Sequence, residues 1–420
     1  MIEFEKKILS NGLTVIVHTD NSSPLVAVNI VYNVGSKDEA PDKTGFAHLF
    51  EHLMFGGSVN IPSYDEPLQL VGGENNAFTN NDLTNYYITL PKENIETAFW
   101  LESDRMLSLA FSKKSLEVQR NVVIEEFNQR YLNQPYGDVW LLLRPLAYKV
   151  HPYQWATIGK SVDHIRDASL EDVKNFFFSH YAPNNAILTV AGDVNPEEIF
   201  SLVEKWFGNI EHRNVKPRNL PPEPEQAEAR HLKVTRDVPY SSIYMAFPMS
   251  GRKNRDYQVT DLISDILSNG KSSRLFVNCV QNRQLFSEVN AFITGDIDPG
   301  LLVVTGRLAD GVTMETAEQA LWDELFGMST NPPSDYELQK VKNRFESSIM
   351  FSEVTILSKA MNLGFYELLG DADIINHEVE LYQNITVADI VRVSQSIFKT
   401  EKCSILYYLP ETNSNDRHAQ

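Results

Sequence analysis

The sequence predicts an α+β protein made of two homologous domains, at residues 1–212 and 231–420. Three observations lead to this prediction. Segments with strand periodicity and segments with helix periodicity alternate along the chain. Residues 213–230 carry four prolines among charged residues and have no apolar periodicity, which is typical of a linker. The elements before this linker recur after it in the same order.

The first domain is predicted to begin with a hairpin at 7–18, where an Asn-Gly turn joins two runs of alternating apolar residues. Strands are assigned to alternating or short apolar runs, and helices to apolar residues at three- and four-residue steps. The further predicted strands are 25–33, 72–80, 85–90 and 186–191, and the predicted helices are 46–54, 92–109, 115–132, 139–148, 162–181 and 196–207.

The second domain is predicted to repeat this order. The strand pattern at 238–247 corresponds to that at 23–32, and residues 261–270 align with 48–57 at a constant shift of 213. Residues 302–305, followed by 314–326, correspond to 87–106. Residues 336–349 correspond to the predicted helix at 115–132.

Composition excludes several classes of protein. With 420 residues and 42% hydrophobic residues, the chain is an ordinary globular protein of two or more domains. A net charge of −19 argues against a nucleic-acid partner. The charge is consistent with a chamber that attracts basic or neutral peptides, and equally with a role in keeping the protein soluble. Two cysteines provide no disulfide framework. No apolar run is long enough for a membrane span, and the start lacks a signal-peptide core, so we expect a cytoplasmic protein, or a periplasmic one if a leader was removed.

The sequence HLFEH at 48–52 lies in a run with helix periodicity that ends at a Gly-Gly pair. His48 and His52 are one helical turn apart, so both imidazoles can reach one ion, and Glu51 lies on the same side. Two histidines at this spacing suit zinc, and a free carboxylate beside them can act as a base. The pattern H-x-x-E-H is the inverzincin signature. Structural histidines on an amphipathic helix are the alternative interpretation.

A second helical run contains VVIEE at 122–126. Together with HLFEH, this run resembles the M16 (pitrilysin-like) zinc metallopeptidases, which include insulin-degrading enzyme and mitochondrial processing peptidase. The resemblance implies Zn²⁺ held by His48, His52 and Glu126, with Glu51 as the catalytic base. It also implies that Glu125 points elsewhere or supports a ligand. Gln119 stands where many members carry a glutamate. It can still form hydrogen bonds near the third ligand, but it carries no negative charge.

The resemblance covers nearly the whole chain and implies half of an M16 clamshell: two domains, each an antiparallel-rich sheet with helices on one face. It assigns the strand at 72–80 to an exposed edge where Asn76, Ala77, Phe78 and Thr79 pair with the backbone of a peptide substrate. An ordinary surface hairpin is the alternative. In the second copy Asp261 and Asp265 replace the histidines, so this domain is expected to be inactive and metal-free. Ser264 stands at the position of Glu51, and Ser348 at that of Glu126.

One departure from the family pattern concerns catalysis. In self-sufficient members an SSRLF run is followed by an Arg and a Tyr that bind the substrate carbonyl. This chain has SSRLF at 272–276, but Val280 and Ser287 at those two positions. We therefore expect a homologous M16 subunit that supplies the Arg/Tyr pair, in a hetero-oligomer. A homodimer is the alternative, in which another residue takes over the role, the candidates being Arg274, Arg283 and Tyr244.

Two classes of function follow from these residues. The first is a zinc endopeptidase subunit that hydrolyses unfolded or short peptides inside a chamber, with Glu51 as general base. The second is a non-catalytic assembly subunit of an M16-like complex. Such assembly members usually lose the metal motif, whereas this chain keeps all four of its residues. The sequence therefore favours the peptidase.

Overall fold

The computed structural model describes residues 1–411, which form two compact units. The first unit comprises Met1–Asn128, Trp155–Pro221 and Ser348–Glu378. The second comprises Gln129–Gln154, Pro222–Ser347 and the segment that begins at Val379. Each unit thus contains one segment from the other sequence half. The predicted boundaries at residues 212 and 231 stay a prediction.

The secondary structure follows the predicted order of elements. The strands are β1 (Glu5–Ile8), β2 (Thr14–Thr19), β3 (Leu25–Tyr32), β4 (Glu74–Thr79), β5 (Thr84–Pro91), β6 (Ala186–Gly192), β7 (Arg230–Arg236), β8 (Ser242–Pro248), β9 (Phe286–Ile293), β10 (Leu301–Leu308) and β11 (Ser404–Pro410). The helices are α1 (Phe46–Leu53), α2 (Asp65–Leu70), α3 (Ile95–Leu107), α4 (Lys113–Phe127), α5 (Val139–Ala147), α6 (Val162–Arg166), α7 (Leu170–His180), α8 (Pro196–Phe207), α9 (Arg255–Ser268), α10 (Met314–Thr330), α11 (Asp335–Ser352), α12 (Ile356–Leu369), α13 (Glu378–Gln383) and α14 (Val387–Ile397).

Some predicted helices are shorter in the structure. The predicted helix at 115–132 is α4 up to Phe127, followed by a π-helical segment at Asn128–Leu132. The predicted helix at 162–181 is two helices, because Ser169 accepts a hydrogen bond from the Asp172 amide and begins α7 with a capping box. Within residues 1–411, no helix combines the length and the low polarity that crossing a membrane requires.

The sheet of the first unit has the strand order β1-β2-β6-β3-β5-β4. The predicted hairpin is its β1–β2 pair, with Gly12 at a φ of 89° in the turn. Strands β2 and β6 are parallel, and the other pairs are antiparallel. The predicted antiparallel-rich sheet is therefore confirmed. Strand β4 lies at the edge of the sheet, where β5 is its one neighbour among the strands of residues 1–411.

The structure adds a helix to the second face of this sheet. Strand β3 reads LVAVNIVY, and every residue after the first is buried. Because side chains alternate between faces, both faces of β3 are covered. Helix α12 covers the face of Ala27 and Ala191, and an ideal Cβ on its Gly364 would lie 3.1 Å from Val31 Cγ2. A helix from the second half of the sequence thus completes the first unit.

The second unit repeats this plan. Its sheet has the order β7-β11-β8-β10-β9, with β7 and β11 parallel and the other pairs antiparallel. Met245 and Phe247 on one face of β8 pack in the main core of the unit, which includes residues of α9, α10 and α14. Ala246 on the other face packs with Val139 and Leu143 of α5. The predicted α+β fold of two sheet-and-helix halves is confirmed.

Candidate metal centre

Helix α1 carries both histidines, and its beginning is fixed by a buried carboxylate. Glu39 accepts hydrogen bonds from the backbone amides of Gly45 and Ala47, at 2.9 and 2.8 Å. Burial raises the pKa of Glu39 well above its ordinary value. Gly45 has a φ of 89°, and a Cβ there would lie 2.6 Å from the Ile158 carbonyl oxygen. The start of α1 is therefore held by contacts distant in sequence.

Helix α4 brings Glu126 to the end of α1. The helix begins at Ser112, whose side chain accepts a hydrogen bond from the Ser115 amide. A Cβ on Gly56, just beyond α1, would lie 2.4 Å from Ser115 Oγ, so a larger residue there would require the Ser115 hydroxyl to move. The end of α1 thus lies directly against the first turn of α4.

The three predicted ligands converge at one point. The Nε2 atoms of His48 and His52 are 3.3 Å apart, and Glu126 Oε2 lies 3.6 Å from the first and 3.5 Å from the second. In a tetrahedral zinc site with metal–donor distances of about 2.0–2.1 Å, donors are about 3.3–3.4 Å apart. Two imidazoles and one carboxylate at these distances therefore fit zinc and leave a fourth position open.

Among the described residues, His48, His52 and Glu126 are the group whose donor atoms lie close enough together, within 4.8 Å of one another, to bind one metal ion. Glu125 is exposed and is not part of that group. Gln119 lies two helical turns before Glu126 on α4, and therefore on the same face. The supporting roles of Gln119 and Glu125 stay predictions.

Glu51 lies on α1 between the histidines and is partly buried. Its Oε2 accepts a hydrogen bond of 2.6 Å from Thr79 Oγ1, at the end of β4. The pKa values of Tyr86 and Tyr181 are raised mainly by burial, and the negative charge of Glu51 raises them further. The Glu51 carboxylate thus accepts a hydrogen bond from Thr79 and lies near two buried tyrosines.

Strand β4 carries the four predicted substrate-binding residues. Asn76 and Phe78 are exposed, whereas Ala77 and Thr79 are partly buried, as expected of an edge strand with one face toward a helix. The Ala77 amide donates a hydrogen bond to Asn76 Oδ1 at 2.8 Å. The edge position was predicted, and peptide binding there stays a prediction.

The second unit holds the residues that replace the metal motif. Asp261 accepts a hydrogen bond from the Tyr382 hydroxyl at 2.7 Å, and Asp265 accepts one from Asn269 at 2.6 Å. Burial raises the pKa of Asp265. These contacts give both carboxylates a structural role, and the metal-free state of this domain stays a prediction.

The positions of the expected Arg/Tyr pair lie in the second unit. Val280 is partly buried in a π-helical segment, Phe276–Asn282, and Ser287 Oγ on β9 donates to the Arg307 carbonyl. The candidate Arg274 makes two hydrogen bonds to Glu337, at 2.9 and 3.2 Å. Of the other two candidates, Arg283 forms an ion pair with Asp323 at 3.4 Å. Tyr244 is partly buried, and burial raises its pKa to about 12.

Sequence reasoning did not identify two contributors to this site. Glu39 precedes α1 by several residues, and no periodic pattern marks a carboxylate that caps a helix from a distance. The hydrogen bond from Thr79 to Glu51 joins a strand and a helix 28 residues apart in the chain. Both contacts depend on tertiary packing.

Comparison with known proteins identifies the family. Residues 14–147 match the model of insulinase (peptidase family M16), and residues 167–345 match that of the peptidase M16 inactive domain. The chain is 28% identical to zinc protease PqqE of Helicobacter pylori, over 97% of this chain and 93% of that protein. It is 26% identical to the probable mitochondrial-processing peptidase subunit beta of Schizosaccharomyces pombe, over 94% and 88%.

Solved structures agree with these matches. A protease from Helicobacter pylori, 27% identical, superposes with a TM-score of 0.91 over 98% of this chain and all of that one. Pitrilysin, 17% identical, shares the fold with a TM-score of 0.78, and the match spans 98% of this chain but 45% of pitrilysin. The two family models and these relatives together cover both units, and the chain therefore belongs to the M16 peptidase family.

Proposed function

We propose that this chain is the zinc-binding, catalytic subunit of an M16 endopeptidase. The observation that carries the proposal is the convergence of His48, His52 and Glu126 within 4.8 Å, with the carboxylate of Glu51 one residue from the second histidine. Three protein donors with an open fourth position are the arrangement of catalytic rather than structural zinc sites. The relatives named zinc proteases support the same assignment.

The chemistry proposed for this site is peptide hydrolysis. Bound zinc supplies a Lewis acid that polarises the scissile carbonyl and makes a water molecule more acidic. The Glu51 carboxylate accepts a proton from the attacking water as the new C–O bond forms. It then donates that proton to the leaving amine nitrogen as the C–N bond breaks. His48, His52 and Glu126 hold the ion and take no part in these proton transfers.

The open edge of β4 is proposed to hold the substrate as an added strand. Pairing through the backbone gives affinity with little preference for side chains. This property suits unfolded or short peptides, which offer an extended backbone. The substrate is proposed to lie beside α1, because Thr79 of β4 contacts Glu51 directly.

A non-catalytic assembly role is the second candidate. An assembly role would require no intact set of metal donors, and yet all three donors lie close together in this chain, and Glu51 is present beside His52 in the sequence. The family model described as inactive matches residues 167–345, whereas the donors lie at 48–126. The proposed peptidase accounts for both observations. The cytoplasmic location stays a prediction.

Two substitutions test the proposal. The Glu51→Gln variant is expected to keep one zinc per chain and to lose about 10²–10⁴-fold in kcat on an unstructured peptide, because an amide cannot accept the proton. The His48→Ala variant is expected to lose the zinc as well. Elemental analysis measures the zinc content, and peptide hydrolysis is assayed in the presence of a homologous M16 subunit that carries the Arg/Tyr pair.

Glu117→Gln provides a matched control, because Glu117 is exposed on α4. This variant is expected to keep both zinc and activity. Undiminished zinc in His48→Ala would contradict the ligand assignment. Turnover at the wild-type rate in Glu51→Gln would contradict the role of Glu51 as the base.

A further inference from the structure

A hydrogen bond between Thr79 and Glu51 joins the edge strand β4 to the candidate base. Thr79 Oγ1 donates to Glu51 Oε2 at 2.6 Å, and the bond is partly buried. A hydroxyl that donates to a carboxylate at this distance makes a strong, charge-assisted hydrogen bond. One oxygen of Glu51 is therefore occupied by a protein donor.

The face of β4 determines where the Thr79 hydroxyl points. Exposure alternates along the strand, so that Asn75, Ala77 and Thr79 are partly buried and the residues between them are exposed. Residues two apart lie on the same face of a strand. Because β4 packs against α1, this face is the one directed at the helix that carries Glu51.

The position of Thr79 is fixed by the turn that follows it. The Asn80 side chain accepts hydrogen bonds from the amides of Asp82 and Leu83, at 2.8 and 2.9 Å. The amides of Ser36 and Lys37 donate to the carbonyls at 80 and 81. Lys37 and Asp82, 2% and 4% exposed, form a buried ion pair at 2.6 Å. Hydrogen bonds and a buried ion pair thus fix the turn at 80–83, and this turn fixes the position of Thr79 next to it.

We propose that Thr79 is a positioning residue for Glu51. By donating to Oε2, the hydroxyl restricts rotation of the carboxylate and so fixes the orientation in which Glu51 accepts the proton of the attacking water. This inference rests on the proposed function. It adds that the strand which pairs with the peptide also orients the base, so that substrate binding and proton transfer depend on the same element.

The role predicts a specific kinetic pattern. Removing the hydroxyl with the nearly isosteric Thr79→Val substitution should lower kcat, since the base samples unproductive orientations. Loss of a hydrogen bond that orients a residue of a metal site typically costs about 10–100-fold. KM should change by no more than about twofold, because backbone pairing at β4 needs no hydroxyl. Zinc content should stay at the wild-type level.

Thr79→Ser is the matched control. It keeps the hydroxyl and loses only a methyl group, so it is expected to restore most of the kcat that Thr79→Val loses. Both variants are compared with wild type for kcat, KM, zinc content and thermal midpoint. A merely structural role would lower the thermal midpoint and the activity of both variants together.

Combining substitutions separates the role of Thr79 from other effects. In the Glu51→Gln background, Thr79→Val should cause no further loss of residual activity, because the base that it positions is absent. An undiminished kcat in Thr79→Val, or a rise in KM alone, would contradict this inference while leaving the proposed function intact. A wild-type protein that cleaves no peptide, with or without its partner, would contradict both.

Discussion

At the residue scale, the start of the metal-binding helix depends on Glu39. Its two carboxylate oxygens accept the amides of Gly45 and Ala47, and only 6% of the residue is exposed. In a Glu39→Gln variant one of these amides would face an NH₂ group, which cannot accept. An unsatisfied buried donor costs about 1–3 kcal/mol. We expect a lower free energy of unfolding and weaker zinc binding.

Chemical denaturation and competition with a zinc chelator measure these two effects. Glu5→Gln is the control, because Glu5 is exposed on β1 and is expected to change neither quantity. An unaltered denaturation midpoint and zinc affinity in Glu39→Gln would show that the helix start is held by other contacts.

The sequence contained enough information for part of the site. The relation of His48 to His52 is local, because one helical turn separates them, and their spacing alone predicted a common ion. Glu126 lies 74 residues after His52, so its position required the family resemblance. The contacts made by Glu39 and Thr79 could not be predicted. Single hydrogen bonds between distant segments leave no periodic pattern in a sequence.

At the scale of elements, helix α12 is joined to the first sheet by an ion pair. Lys359 Nζ on α12 lies 2.6 Å from Asp20 Oδ2, just after β2, and both side chains are less than one-fifth exposed. The hydrogen bond from Lys359 lowers the pKa of Asp20 well below its usual range. An acid whose pKa is lowered by folding stabilises the protein above its unfolded pKa, about 3.9. That contribution is lost as the pH falls further.

We therefore expect Asp20→Asn to lower the free energy of unfolding at pH 7 by about 1.5–3 kcal/mol, the value of a hydrogen bond to a charged group. The difference between the variant and wild type should shrink as the pH falls below about 4. Urea denaturation at pH 7, 5 and 3 provides the measurement. A difference that stays constant across this range would mean that the ion pair contributes no stability.

The elements themselves were predicted more fully than their packing. Alternation and helical periodicity located the strands of the first sheet, β8, β10 and most helices, because each pattern records which side of an element is buried. Strands β7, β9 and β11 were not predicted. These patterns do not record what covers that side. The exchange of α5 and α12 between the sequence halves therefore could not be predicted, although the apolar residues on both sides of Asn29 in β3, Leu25–Tyr32, indicate a strand buried on both faces.

At the scale of the whole molecule, the predicted duplication appears in the sheets. The order β2-β6-β3-β5-β4 in the first unit corresponds to β7-β11-β8-β10-β9 in the second, and β1 is an addition to the first. The sequence repeat is weak at single positions but keeps the order of elements, which is what determines strand order. At the metal motif, Asp261 and Asp265 stand in place of the histidines.

The number of M16 units that form an active site leads to the last prediction. This chain spans 45% of pitrilysin in the structural match. We propose that a second homologous chain completes the active site. Val280 and Ser287 occupy the positions expected for the Arg/Tyr pair, and Arg274 is bound to Glu337. A homodimer would therefore place no free guanidinium from these positions at the substrate carbonyl.

We expect the chain alone to cleave an unstructured peptide about 10²–10³-fold more slowly than with a homologous subunit that carries the Arg/Tyr pair and lacks H-x-x-E-H, since donors to the developing oxyanion are worth this much. Steady-state kcat/KM with and without that subunit provides the measurement, and the Glu51→Gln chain mixed with the same subunit controls for activity of the partner. The double substitution Val280→Arg/Ser287→Tyr should raise the rate of the chain alone, because it restores the two donors. Full activity of the homogeneous wild-type chain would instead support a homodimer in which another residue contacts the carbonyl.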